Sequence, residues 1–205
     1  RGLQNTGATN ASAIVMNPQN GRVMAIANLP TYDVSQYDKV TDVSLFNDAV
    51  VSEPYEPGSV IKTLTMATGI EKGVVSPTST YVNYDSIQVE DATINNFDLG
   101  LNGVVTTFQE ALNLSHNVGF VTVAKRLGDG EHINLQARSS MYEYFHDRFK
   151  LGQTTGIELA NESDGVIFKP TDEEGGAVRY SNMAFGQGMD VTMVQVASAF
   201  SSLVN

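Results

Sequence analysis

Cysteine is absent from the 205 residues, which excludes disulfides, thiolate nucleophiles and Cys-based zinc sites together. Histidine is nearly absent too. His116, His132 and His146 are the only three, with no i, i+4 pair and no HExxH, so a histidine metal site is not expected. Positive charge is scarce: 12 Lys and Arg stand against 23 Asp and Glu, a net charge of −11. Such a surface repels phosphate backbones and anionic headgroups, so no nucleic-acid partner is expected. No stretch approaches the roughly 18–20 apolar residues of a membrane span. The chain opens at RGLQNTGATNAS without an initiator Met and closes at VTMVQVASAFSSLVN, inside or just after a helical pattern. Both termini read as cuts.

What is present describes an ordered globular protein. Hydrophobic residues make up 41% and charged residues 17%, a balance able to bury a core. Ser12–Met16 (SAIVM) and Arg22–Asn28 (RVMAIAN) are short apolar runs with β-branched residues, separated by NPQNG. Asn20-Gly21 accepts the positive φ of a tight turn, so an antiparallel hairpin is expected. Thr31–Ser52 reads as mostly loop. From Ser59, the residues Val60, Ile61, Leu64, Ala67 and Thr68 recur at helical spacing, ending near Gly69–Gly73. Val74–Gly103, rich in Ser, Thr, Asn and Asp, reads as irregular surface with short strands.

Helices then resume. Thr107-Phe108-Gln109-Glu110 is a capping box opening a helix to about Leu114. Val118–Leu127 is a second helix, stopped by Gly128. Ser140-Met141-Tyr142-Glu143 reads as another capping box, for a helix to Leu151 with Gly152 as its stop. Thr192 opens the last. A hairpin followed by a mainly helical body is α+β in order.

Ser59 admits two readings. After Pro-Gly and before an apolar-periodic run, Ser is a favoured N-cap, and a Ser-x-x-Lys match arises by chance about once in a chain of this length. The chemical reading is that i and i+3 share a helix face, which brings the Lys62 amine within reach of the Ser59 hydroxyl. A neutral amine would accept the hydroxyl proton as Ser59 attacks a carbonyl. For that, the lysine pKa must fall about three units from near 10.4, a cost of roughly 4 kcal/mol. Burial and a helix N-terminus both act in that direction. Ser115-His116-Asn117, between two expected helices, is equally double. Ser115 is either a cap of the next helix or the third corner of a hydrogen-bonded triangle with Ser59 and Lys62, relaying a proton to the leaving group. Asn117 would then grip the substrate backbone.

In order and context these segments resemble one family. Ser-x-x-Lys followed by Ser-x-Asn belongs to the serine acyl-transfer enzymes of the β-lactamase and penicillin-binding class. NPQNGRVMAIANLPTYD is similar to the first hairpin and exit of the penicillin-binding protein transpeptidase domain. YEPGSVIK is similar to its nucleophile segment, TFQEALNLSHNVGFVTVAKRLG to its Ser-x-Asn segment, and LGQTTGIELANESDG to a recurrent loop. FGQGMDVTMVQVASAFSSLVN is similar to its Gly-Gln-Gly segment and following helix. The resemblance covers roughly residues 11 to 205 and leans to the class B, monofunctional type.

The resemblance implies a single partial transpeptidase domain over residues 1–205, with 11–30 as a hairpin of the sheet and 54–205 as a mainly helical part. It implies Ser59 as nucleophile, Lys62 as general base, Ser115 as proton relay and Asn117 as a substrate-binding amide. His116 is given no role. The substrates would be D-Ala-D-Ala stem peptides of peptidoglycan, with β-lactams as covalent inhibitors and no metal or organic cofactor. The parent would be membrane-anchored in a cell-wall synthesis complex, on the extracytoplasmic face of a bacterial membrane. One departure stands out. The only lysines after residue 126 are Lys150, in Lys-Leu-Gly, and Lys169, in Lys-Pro-Thr, and neither is the family's Lys-Ser/Thr-Gly. The simplest reading is a chain truncated before that motif, with an incomplete sheet and reduced activity. The alternatives are a serine β-lactamase, a β-lactam sensor domain, or a non-catalytic cell-wall scaffold module.

Overall fold

The NPQNG stretch makes the turn its composition predicts. In the computed structural model, which describes residues 1–205, strands β1 (Ala11–Asn17) and β2 (Arg22–Leu29) pair antiparallel across it, with Gly21 at φ 70°. The remaining strands are β3 (Thr80–Asn83), β4 (Ser86–Val89), β5 (Ala92–Asn95) and β6 (Val104–Thr107). The helices in chain order are α1 (Gly2–Thr6), α2 (Ala49–Ser52), α3 (Lys62–Glu71), α4 (Phe108–Asn113), α5 (Asn117–Arg126), α6 (Leu135–Tyr142), α7 (Ala177–Met183) and α8 (Met193–Ser201). Contacts divide the chain into two compact units. No helix is long and apolar enough to cross a membrane.

The first unit comprises Arg1–Tyr55, Lys150–Gly165 and Val191–Asn205. Ile14 faces Ile26 across the hairpin, and the register shifts between Val15 and Met16, a bulge that raises the local twist. Ile14, Met16 and Ile26 pack with Ile157 and Met193 on a buried cluster of Val50, Val51 and Val194. That face contributes roughly 1.5–3 kcal/mol for each large apolar side chain it removes fully from water. The expected loop 31–52 contains three short turns of helix, each opened by an aspartate. Asp33, Asp42 and Asp48 accept from the N–H of Ser35, Ser44 and Val50, satisfying donors that a helix start leaves orphaned. Thr192 caps α8 through the N–H of Gln195, as its spacing predicts. Gln195, itself buried, accepts from Gly152 N–H and donates to the carbonyls of Gln153 and Asp164, which pins the LGQTTG loop to α8.

The second unit comprises Glu56–Phe149 and Val166–Asp190. Its centre is α3 packed against α5, with Ile61, Leu64, Phe120 and Val121 fully buried. Thr107 caps α4 through Glu110 N–H as expected. The 74–103 stretch carries β3, β4 and β5: β4 pairs with β5, and β3 pairs with β6 just beyond the stretch. The expected capping box at Ser140 is absent. Asn134 opens that helix instead, accepting from Ala137 N–H, and Ser140 lies inside it. The helix then widens into a π-helical stretch at Glu143–Arg148 and does not continue as α to Leu151.

Candidate active site

Pro57 and Gly58 turn the chain into a 3-10 segment, Gly58–Ile61, that runs directly into α3. Residues three apart eclipse one another in a 3-10 turn, so Ser59 and Lys62 share a side more closely than an α-helix would place them. The position before the segment is Pro57, with no side-chain cap. Ser59 is therefore not a cap. It is exposed, whereas Lys62 at the next turn is 1% exposed.

Two glycine-bearing segments hold this turn. Gly58 N–H donates to Gly186 O at 2.8 Å, and a Cβ on Gly186 would fall 1.9 Å from the Gly58 carbonyl oxygen. With φ at +86° as well, position 186 accepts only glycine. Two residues on, Gly188 N–H donates to Glu56 Oε1 at 2.7 Å. The Glu-Pro-Gly and Gly-Gln-Gly segments, read separately in the sequence, are one another's partners.

Ser115 is placed by how α4 ends. Its N–H bonds to Leu112 O and the His116 N–H to Ala111 O, the paired bonds of a Schellman motif. The C′ residue of that motif sits in the left-handed region, usually as glycine; here it is Ser115, at φ +58°. His116 then serves as the N-cap residue of α5. The alternative reading of Ser115 as the cap of α5 fails by one residue, because the αL backbone that ends α4 occupies it. A non-glycine residue held in αL costs energy that the surroundings must supply, and such outliers cluster at functional sites.

Lys62 joins these pieces. Its Nζ donates to Ser115 O at 2.6 Å, Ser115 Oγ at 2.8 Å and Asn117 Oδ1 at 2.7 Å, with the Phe120 ring centroid 5.6 Å away. All three ammonium hydrogens are committed. Burial pulls the amine down from its ordinary 10.5 to about 8, while the three acceptors favour the charged form. Asn117 Nδ2 donates to Asn95 O at 2.9 Å, which leaves one amide hydrogen for another acceptor.

Lys62, Ser115 and Asn117 are thus brought into direct contact. Ser59 stands one turn away on the same side and bonds to none of them, since the lysine's three bonds all go to the 115–117 turn. Of the expected Ser59–Lys62–Ser115 triangle one edge is present, Lys62–Ser115, and both edges to Ser59 are open; Lys62 bonds to Asn117 besides. Asn95, Glu56 and Gly188 were not singled out from the sequence. An exposed hydroxyl, a buried amine of lowered pKa and a second hydroxyl bonded to that amine are the parts of a relay for nucleophilic attack by an alcohol.

The family described as "Penicillin binding protein transpeptidase domain" matches residues 11–205. Stage V sporulation protein D of Bacillus subtilis is 33% identical over 195 residues, 94% of this chain and 28% of that protein. Penicillin-binding protein PbpB of Mycolicibacterium smegmatis is 34% identical over 202 residues, 98% of this chain and 29% of that protein. Among solved structures, penicillin-binding protein 3 of Mycobacterium tuberculosis, complexed with aztreonam, superposes with a TM-score of 0.80 at 29% identity, over 98% of this chain and 42% of that one. The chain thus spans less than a third of the length of these curated relatives. The α+β fold, the 11–205 match and the relatives together establish that the chain belongs to the transpeptidase domain family of the penicillin-binding proteins.

Proposed function

We propose that this chain carries the acyl-transfer machinery of a peptidoglycan D,D-transpeptidase, with Ser59 as nucleophile, Lys62 as general base, Ser115 as proton relay and Asn117 as a substrate-binding amide. The observation that carries the reading is the Lys62 amine, buried, lowered to about 8 and bonded to Ser115 and Asn117. With that pKa about a tenth of the amine is neutral at pH 7. On losing a proton the amine keeps two donors for the 115–117 turn and gains a lone pair for the Ser59 hydroxyl.

Ser59 Oγ bonds to the carbonyl carbon of the penultimate D-alanine as its proton passes to Lys62 Nζ. The C–N bond to the terminal D-alanine breaks, and the proton travels through Ser115 Oγ to the departing nitrogen. The amine of a second stem peptide attacks the acyl ester, gives up a proton to the same relay, and Ser59 Oγ recovers it as the ester bond breaks. A β-lactam follows the first half only, because its leaving nitrogen stays tethered. Family membership and the penicillin-binding names of the relatives support β-lactams and peptidoglycan stem peptides as ligands. They support in the same way a membrane-anchored parent acting in a cell-wall synthesis complex on the extracytoplasmic face.

Intact mass after incubation with a penicillin tests this. An adduct of the full drug mass, lost in Ser59→Ala, is expected. No adduct, either on this chain or on a longer one that includes a Lys-Ser/Thr-Gly segment, overturns the assignment.

A further inference from the structure

His116 occupies the middle of the Ser-x-Asn segment and takes no part in the relay, yet it is 3% exposed. A buried imidazole beside the site must have its nitrogens accounted for. Nδ1 lies 3.0 Å from Asn83 Nδ2, and Nε2 has no partner within hydrogen-bond distance, the nearest carboxylate oxygen being Asp98 Oδ2 at 3.8 Å.

The direction of the Asn83 contact is fixed by backbone groups. Asn83 Oδ1 accepts from the Tyr84 N–H at 3.0 Å, so its amide nitrogen is the end facing His116. Asn96 is oriented in the same way: its Oδ1 accepts from Val118 N–H at 3.0 Å, and its Nδ2 donates to Asn83 Oδ1 at 3.0 Å and Tyr84 O at 2.8 Å. Both amides are buried. With Asn83 Nδ2 a donor, His116 Nδ1 must be the acceptor, and the ring proton is on Nε2. An N–H at Nδ1, in the other tautomer or in the cation, would meet the amide donor head-on. The charged groups facing this turn are Asp98 on the 96–103 loop and Lys62 on α3.

The two residues that flank His116 are the acceptors for Lys62. Ser115 alone does not hold the turn, because its backbone is in the strained left-handed region. We propose that His116 is a positioning residue: its bare Nδ1 accepts from Asn83, and that bond, with Asn96 on Val118, fixes the Ser115–Asn117 turn against Lys62. The proposal rests on the reading of the site above for its catalytic consequence, though not for its geometry.

Three variants and three readouts test it. Asparagine presents an oxygen close to where Nδ1 lies, so His116→Asn keeps the acceptor; His116→Leu removes it. Asn83→Asp replaces the donor by an acceptor and calls the ring proton to Nδ1. In the native chain, nitrogen NMR is expected to show an unprotonated Nδ1 and a protonated Nε2, exchanged for a protonated Nδ1 in Asn83→Asp. Amide exchange at Ser115 and Val118 is expected to quicken in His116→Leu and stay near native in His116→Asn, with α3 unchanged in both. The rate of penicillin acylation should fall about tenfold to a hundredfold in His116→Leu, as a small misplacement of a reacting group does, and recover to within about threefold in His116→Asn. A protonated Nδ1 in the native chain, or native exchange at Ser115 and Val118 in His116→Leu, overturns the proposal. Should the native chain not acylate at all, the enzyme reading fails separately, and the tautomer and exchange results still decide this one. If His116→Leu does not fold, the Asn83→Asp tautomer and the His116→Asn exchange decide it.

Discussion

Ser59 and Ser115 are both serines at the ends of helical segments, and the second unit treats them in opposite ways. Ser115 is engaged on every side: its carbonyl and hydroxyl both accept from Lys62, and its backbone is bent into αL to present them. Ser59 is exposed, caps nothing and is bonded to none of the site residues. In the mechanism proposed above, the difference separates two tasks. A relay works by being held in place, so its energy is spent on geometry before substrate arrives. A nucleophile gains nothing from a ground-state partner that must be broken on attack. What is fixed at Ser59 is the backbone, through the Gly58–Gly186 bond, while the hydroxyl is left unoccupied.

The largest effect that would break this comparison is loss of the penicillin adduct in Ser59→Ala, with stability changed by less than about 0.5 kcal/mol. A loss near 1 kcal/mol would restore the capping role. Mass spectrometry and denaturant melts read the two separately. Next, Lys62→Met is expected to slow acylation by about 10²–10⁴-fold. In the native chain the acylation rate should rise with pH through an apparent midpoint near 8, because deprotonation creates the base. The same depressed pKa makes folding stability climb as pH rises from about 8 towards 10.5, where the unfolded state binds the proton and the folded state does not; Lys62→Met should flatten that slope in melts taken across the range.

A third change concerns the frame of the Ser59 turn. Gly186→Ala forces a Cβ against the Gly58 carbonyl and should cost more than about 2 kcal/mol. Gly130→Ala, at a similar φ of +87° with nothing within 4 Å, should cost only about 1 kcal/mol. Equal losses in thermal melts would mean that the glycine contact carries no energy. The smallest effect compares two replacements at the relay. Ser115→Gly and Ser115→Ala both lose the hydroxyl and should acylate equally slowly. Glycine should nonetheless be the more stable by about 1 kcal/mol, since only the αL backbone distinguishes them.

Much of this was legible in the sequence wherever a local rule decides the outcome. Asn20-Gly21 gave the hairpin, and Thr107 and Thr192 gave the starts of α4 and α8, because turn and cap chemistry act within four residues. Ser-x-Asn named the two residues that meet around Lys62, while the Ser59 of Ser-x-x-Lys stands one turn away without a bond to them. Ser140 misled because Ser-x-x-Glu spacing is as compatible with the middle of a helix as with its start, and Asn134 had already capped that one. The polar 74–103 stretch concealed more. Asn83 and Asn96 look like surface residues in any pattern of hydrophobicity, yet they are buried because each satisfies the other and the backbone around it. Nor could spacing reveal that Glu56 reaches Gly188 across 132 positions of sequence.

The αL serine that ends α4 has a consequence for how such chains drift and how they are found. With Ser115 as the proposed relay, thermal selection and function pull position 115 in opposite directions, so a screen that rewards heat resistance alone should collect glycine there and return well-folded proteins that no longer react. On the same proposal, a helix stop with the hydrogen bonds of a glycine motif but a hydroxyl residue in its αL seat marks a place where stability is exchanged for chemistry. In an uncharacterised genome, that mismatch is a search signature that needs no knowledge of the reaction.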